Sequence, residues 1–291
     1  MNIDVALVAR LIKTQFPQWA DLPIRPVTLS GWDNRTFHLG DEMSVRLPSA
    51  EMYARAVHNE QTWLPRLAPQ LPLPIPHPIA MGEPDPTYPW HWSVYRWLPG
   101  EIVKRERIDD LGCFAADLAA FLRVLQSIDP TGGPSRKLRG GSLSLWQPQV
   151  EEAQAILAEH VAFDVQAAAE IWQAAIQAPF DDTPVWYHGD VAAGNLLTVD
   201  GKLTAVIDFG GLGVGDPACD MTIAWTFLDA ASRQVFRESL AVSDAIWQRG
   251  RGWALWKAMI VVAGLIETNV IEAASSQYAL DQLLEDHKAG G

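Results

Sequence analysis

The hydrophobic pattern of this chain changes period as it runs. Residues 24–47 alternate like strands: in MSVRLP, Met43, Val45 and Leu47 point one way and Ser44 and Arg46 the other. Two shorter apolar runs precede it, Pro26–Leu29 and Thr36–Leu39, with turn residues at Ser30–Asn34 and Gly40–Glu42. An antiparallel meander is predicted there. Glu51–Leu67 reads as a helix, with Val57, Trp63, Leu64 and Leu67 among its apolar positions and Pro65 interrupting it. Prolines at 69, 72, 74, 76 and 78 forbid helix and predict an extended path or a sheet edge. HWSVYRWLPGE, residues 91–101, is the last strand-like run of this half. Pro99-Gly100 breaks it, so residues 1–98 are expected to form one unit and 99–291 another.

Beyond that break the period is mostly 3.6. Asp109 or Asp110 can cap a long helix to Ile128, followed by Leu111, Phe114, Leu118, Phe121, Leu122 and Leu125. A polar loop at 131–141 leads to an Ala- and Glu-rich helical stretch, Trp146–Ala178, and Met221 to the end is again mostly helical. Ile3, Leu7, Leu11 and Ile12 fit one face of a short N-terminal helix. Between the helical tracts stands an exception, HGDVAAGN–LLTV–DG–KLTAVIDFG. Asp200-Gly201 is a strong hairpin signal between two apolar strands. The hairpin brings its outer ends together, which makes Asn195 and Asp208 neighbours, with Asp190 across the loop. Two carboxylates and an amide on strand-ended loops form a hard, oxygen-only environment. Such ligands suit Mg²⁺, which binds through one or two carboxylates plus substrate phosphates, and the layout is that of phosphoryl transfer.

Composition narrows the setting. Of 291 residues, 48% are hydrophobic and 20% charged, a soluble globular profile. Cys113 and Cys219 lie far apart with no CxxC spacing, which fits a reducing cytoplasm. The N-terminal segment carries Asp4, Arg10 and Lys13 within its apolar pattern and reads as no signal peptide. The uncharged apolar run between Lys257 and Glu267 is far shorter than the ~20 residues a bilayer span needs. No membrane partner is expected. The net charge of −13 is uneven: residues 1–100 carry 8 basic and 9 acidic side chains, the remainder 14 and 26. No basic footprint is left for nucleic acid. An acidic second half is compatible with a cationic small substrate, and general solubility accounts for the same charge.

These motifs carry a resemblance. HGDVAAGN at 188–195, IDFG at 207–210 and GDPACD at 215–220 occur in the order and spacing of the aminoglycoside phosphotransferase family, the small-molecule branch of the protein-kinase-like fold. The resemblance implies an α+β, two-lobe architecture with a small antiparallel-sheet N-lobe and a larger, mainly helical C-lobe. It implies Asp190 as the catalytic carboxylate, Asn195 and Asp208 as ligands of Mg²⁺, and ATP or GTP as phosphoryl donor. His188 would brace the loop, and Asp216 and Asp220 would pin loop backbone and a helix start. Kinases use a strand lysine paired with a helix glutamate. This sequence departs from that: the matching residue is Arg46, whose planar fork replaces a point charge. Glu60 is its candidate partner, with Glu51 a competitor. The nucleotide-covering loop would be SGWDNRTF, residues 30–37, which lacks GxGxxG. Gly31 and the Asp33-Asn34 pair can still supply a tight turn with amides facing phosphate.

Other readings fit less well. The glycines of GGLGVG at 210–215 fall in no dinucleotide-binding register. Neither His58 with Glu60 nor His188 with Asp190 has a third ligand at zinc spacing. Trp225, Trp247, Trp253 and Trp256 fit a substrate pocket, and fit a core better. The expectation is a nucleotide- and Mg-dependent O-phosphotransferase acting on a small hydroxylated, cationic molecule, an aminoglycoside-type or macrolide antibiotic. The alternatives are a kinase of choline, homoserine or a sugar, or a catalytically silent binding module.

Overall fold

The computed structural model describes residues 2–28, 33–135, 139–159, 163–180 and 183–290. Helix α1 (Val5–Gln15) starts at Asp4, whose carboxylate accepts from the Leu7 amide. Strands β1 (Ile24–Pro26), β2 (Asn34–Leu39) and β3 (Met43–Pro48) form the expected meander. Helix α2 (Glu51–Leu67) follows, then β4 (Pro78–Gly82) and β5 (Trp92–Arg96). The sheet order is β1-β2-β3-β5-β4, all antiparallel.

The alternation in β3 decides what each face of this sheet holds. Val45 and Leu47 turn into a core with Leu7, Val8, Leu11, Ile12, Phe37, Trp92 and Val94. Arg46, opposite Thr36 and Ser93, turns to α2. The buried stripe of α2 is Val57, Glu60, Leu64 and Leu67, so an acid occupies one core position of an otherwise apolar face. Pro65 does not interrupt this helix as the sequence suggested. It stands in the last turn, where few bonds remain to be lost, and the chain passes into a short 3₁₀ turn at Ala68–Gln70. The proline-rich segment ends in β4, at the sheet edge.

The remainder is mostly helical. Strand β6 (Glu101–Ile102) precedes α3 (Leu111–Ser127), capped by Asp110 through the Cys113 amide. The Ala- and Glu-rich stretch is two helices, α4 (Gln147–Leu157) and α5 (Val165–Gln177), the second capped by Asp164. Strand β7 (Val185–Tyr187) pairs with β10 (Gly213–Gly215), and β8 (Leu196–Val199) lies between β6 and β9 (Lys202–Val206). Helices α6 (Ile223–Thr226), α7 (Ala230–Leu240), α8 (Asp244–Val262) and α9 (Val270–Lys288) close the C-lobe. The fold is protein-kinase-like: a small antiparallel-sheet lobe joined to a larger helical one. Trp225, Trp247, Trp253 and Trp256 are all buried in the large core. Among the described residues no helix is long and apolar enough to cross a membrane.

One buried ion pair ties α8 to the loop that carries the third motif. Arg249 grips Asp216 with Nε at 2.6 Å and Nη2 at 3.1 Å, and Nη1 donates to the Pro179 carbonyl. Asp216 also caps the next turn through the Ala218 amide. Removing one partner of a desolvated pair strands the other's charge. Arg249→Met is therefore expected to destabilise the fold by about 3 kcal/mol in urea unfolding, whereas Arg25→Met, which breaks an exposed pair with Asp41, changes it by less than about 1 kcal/mol.

Candidate active site

The site grows from the turn after β7. Gly189 has φ of +86°, and a Cβ there would lie 2.4 Å from the Gly211 carbonyl oxygen. Only glycine permits this backbone to pass so closely. The fully buried Asp220 then fixes the turn: its two oxygens accept from the His188 amide at 2.8 Å and the Gly189 amide at 2.7 Å. Burial raises the Asp220 pKa against the pull of His188 and these two amides. The His188 ring stacks against Phe209 and bridges both halves of the site. Its Nε2 meets the Ile207 carbonyl at 3.0 Å, and its Nδ1 accepts from the Asp190 amide at 3.2 Å. Those partners fix the orientation of the ring.

Asp190 emerges from this brace with its carboxylate exposed. Asn195 orients it: one amide nitrogen donates to both the Asp190 carbonyl and Oδ2, each at 2.9 Å. The DG hairpin forms as the sequence predicts, with Asp200 and Gly201 at φ of 50° and 71°. It returns the chain so that the Ile207 amide donates to the Asn195 carbonyl at 2.9 Å. Asp208 follows in a left-handed conformation, φ 63°, ψ 70°. Such a backbone in a non-glycine residue is held by its surroundings.

Asp208 points to the N-lobe. Its Oδ1 accepts from Arg46 Nη2 at 2.9 Å and the Gly210 amide at 3.4 Å. Arg46 Nη1 stands 3.6 Å from Glu60, whose other oxygen accepts from the Tyr95 hydroxyl, and the guanidinium lies over the Tyr95 ring. Glu60, not Glu51, is thus the acid beside Arg46. Burial opposes charge on both partners, yet the mutual attraction prevails: the Asp208 pKa falls below its usual value and that of Arg46 rises.

Gly31 lies outside the described residues. Asn34 opens β2 opposite Pro48. The residue that reaches the site is its neighbour Asp33. Its carboxyl accepts from the Tyr53 hydroxyl. Burial first, then the charges of Asp208 and Asp190, push its pKa up to about 6 against Arg46. The charges of Asp190 and Asp208 thus both act on the Asp33 carboxyl. No local pattern marks Asp33, since its neighbours here are remote in the chain.

The donor set fits a hard cation. With its amide nitrogen spent on Asp190, Asn195 keeps its carbonyl oxygen available. Among the described residues no donor meets Oδ2 of Asp208. Those two oxygens suit Mg²⁺. Among the described residues no group of three or more His, Cys, Asp or Glu could hold a metal alone. Three acids of α5 and α9 are engaged with cations: Glu170 with His287, Glu272 with Lys257, Asp286 with Arg233.

Comparison with known proteins gives a family and a fold. The model of the phosphotransferase enzyme family matches residues 24–254, from β1 into α8. The chain belongs to the phosphotransferase enzyme family. An aminoglycoside 3'-phosphotransferase of Escherichia coli is 36% identical over 63 residues, 21% of this chain and 23% of that enzyme, so the match spans less than a quarter of the curated relative. Among solved structures, the GDP and kanamycin complex of APH(2")-IIia superimposes with a TM-score of 0.72 at 19% identity, covering 98% of this chain and 99% of that one. Macrolide 2'-phosphotransferase MphH from Brachybacterium faecium gives 0.62 at 20%, covering 96% and 97%. These likenesses support the kinase-like fold of this phosphotransferase-family chain.

The Asp33 pKa has a measurable consequence. The folded state holds this proton more tightly than the unfolded chain, so stability falls as pH rises from about 4 to about 6 and the cost persists above. Asp33→Asn is expected to remove that slope, gaining about 1 kcal/mol at pH 8 after allowance for solvent screening and nothing at pH 4. Denaturation midpoints at the two pH values test this.

Proposed function

We propose that this protein is a nucleotide-dependent O-phosphotransferase, with ATP or GTP as donor and a hydroxyl of a small molecule as acceptor. An aminoglycoside-type antibiotic is the leading acceptor class, with a macrolide next. The observation that carries the reading is the exposed Asp190 carboxylate, oriented by Asn195 and braced by His188, with its charge and that of Asp208 both acting on Asp33. Family membership, the kinase-like fold and neighbours solved with GDP and kanamycin support it. The excess of acid in the C-lobe suits a cationic acceptor.

The chain's own groups then divide the work. The lobes meet at residues 98–99, with the nucleotide between them. Asn195 and Asp208 would hold Mg²⁺, which neutralises phosphate charge when bound. Arg46, positioned by Glu60 and Tyr95, directs its fork to phosphate oxygens. Asn34, which opens β2, stands at the end of the segment that would cover the phosphates. Asp190 accepts a hydrogen bond from the acceptor hydroxyl and takes its proton as oxygen attacks the γ-phosphorus. The new O–P bond forms as the β–γ bridge breaks and nucleoside diphosphate leaves. Most of the acceleration comes from positioning and electrostatics.

A second reading has one observation in its favour. Arg46 occupies Oδ1 of Asp208, as it would in a module that binds nucleotide without turning it over. A coupled phosphotransfer screen against aminoglycosides, macrolides, choline, homoserine and sugars, with both nucleotides, separates the two. Asp190→Ala is expected to lower kcat at least ~10²-fold while nucleotide affinity by calorimetry stays within about threefold. A kcat near that of the parent would remove Asp190 from the chemistry. Nucleotide binding without transfer to any acceptor would favour the silent module.

A further inference from the structure

The start of β2 carries a charge that the chemistry at Asp190 does not use. The Ser49 amide donates to the Asp33 carbonyl at 2.8 Å, which extends the β2–β3 pairing one step past Asn34 and Pro48. Asp33 is thereby held beside the first turn of α2, where the Tyr53 hydroxyl donates to its carboxylate. Tyr53, Ala56 and Glu60 recur at helical spacing and share one face of α2. Each meets a part of the site. Tyr53 holds Asp33, a Cβ at Gly210 would lie 4.0 Å from that of Ala56, and Glu60 stands 3.6 Å from Arg46, which reaches Asp208 at 2.9 Å. One helix face thus gathers Asp33, the phosphate-directed arginine and the Asp208 turn.

The charge balance at this place opposes a polyanion. Asp208 and Asp190 both repel the Asp33 carboxylate, and Arg46, which attracts it, is already shared by Asp208 and Glu60. Ionised Asp33 therefore costs the empty protein stability, so its charge does not serve the fold. A local rule broken without structural gain marks a functional position. A phosphate that takes up Arg46 meets the Asp33 carboxylate as well, and the repulsion grows with the charge the ligand brings. Phosphates already paired with Mg²⁺ bring much less of it.

We infer that Asp33 is a specificity-determining residue of the nucleotide site: its carboxylate repels the free nucleotide polyanion and so selects nucleotide already complexed with a divalent cation. The inference rests on the nucleotide reading above. Without Asp33, free nucleotide would occupy Arg46 and lack the metal that phosphoryl transfer uses, a complex that blocks the site without turnover.

Calorimetric titration of the full chain with ADP and with GDP, each in EDTA and in excess Mg²⁺, tests the inference at pH 8, above the Asp33 pKa of about 6. Asp33→Asn keeps an acceptor for the Tyr53 hydroxyl and removes the charge. It is expected to tighten metal-free binding at least about threefold, and binding in Mg²⁺ by less than about 1.5-fold. Glu83→Gln removes an exposed acid on the α1 side of the sheet. It controls for net charge and is expected to change neither affinity. Equal tightening by Asp33→Asn in EDTA and in Mg²⁺, or none in either, overturns the inference while nucleotide binding by the parent stands. A metal-free gain of the same size in Glu83→Gln assigns the effect to net charge and overturns it too. Failure of the parent and both variants to bind either nucleotide overturns the nucleotide reading itself, and this inference with it.

Discussion

Everything in the cleft depends on a carboxylate that does not face it. Asp220 is fully buried and spends both oxygens on consecutive amides of the turn at His188 and Gly189. That turn is too tight to satisfy its own donors, and unpaired amides in a dry interior are costly. The carboxylate solves this problem and fixes the direction in which Asp190 leaves the strand. His188 repeats the device from the other side, joining Ile207 to Asp190 through its two ring nitrogens. The exposed acid is thus placed by groups that never touch a ligand.

Much of this was legible in the sequence because it is local. A DG pair between apolar strands gives a hairpin, and a hairpin makes Asn195 and Asp208 backbone neighbours. The alternation of MSVRLP sends Arg46 away from Val45, and the period of α2 brings Glu60 beneath it. The split between α4 and α5 was not legible, since alanine-rich helix continues or stops according to tertiary packing. The reach of Pro65 was misjudged because its cost depends on how many turns follow it.

The role of Asp33 was hidden for a different reason. Its neighbours in space are Asp190 and Asp208, more than a hundred residues away, and its phenolic partner Tyr53 lies on a helix not yet begun. A pattern read along the chain reports what each residue prefers, not which charges converge on it.

Arg46 spans the two lobes, holding Glu60 on one side and Asp208 on the other. Its guanidinium cannot be discharged at any ordinary pH, and only 14% of its side chain meets water. Mobile counterions in the medium therefore have little access to it. The alignment of the lobes about this strap is consequently insensitive to alkali and to added salt. It yields to a competitor that arrives with its own positive charge at Asp208, or to one that offers the arginine a better anion.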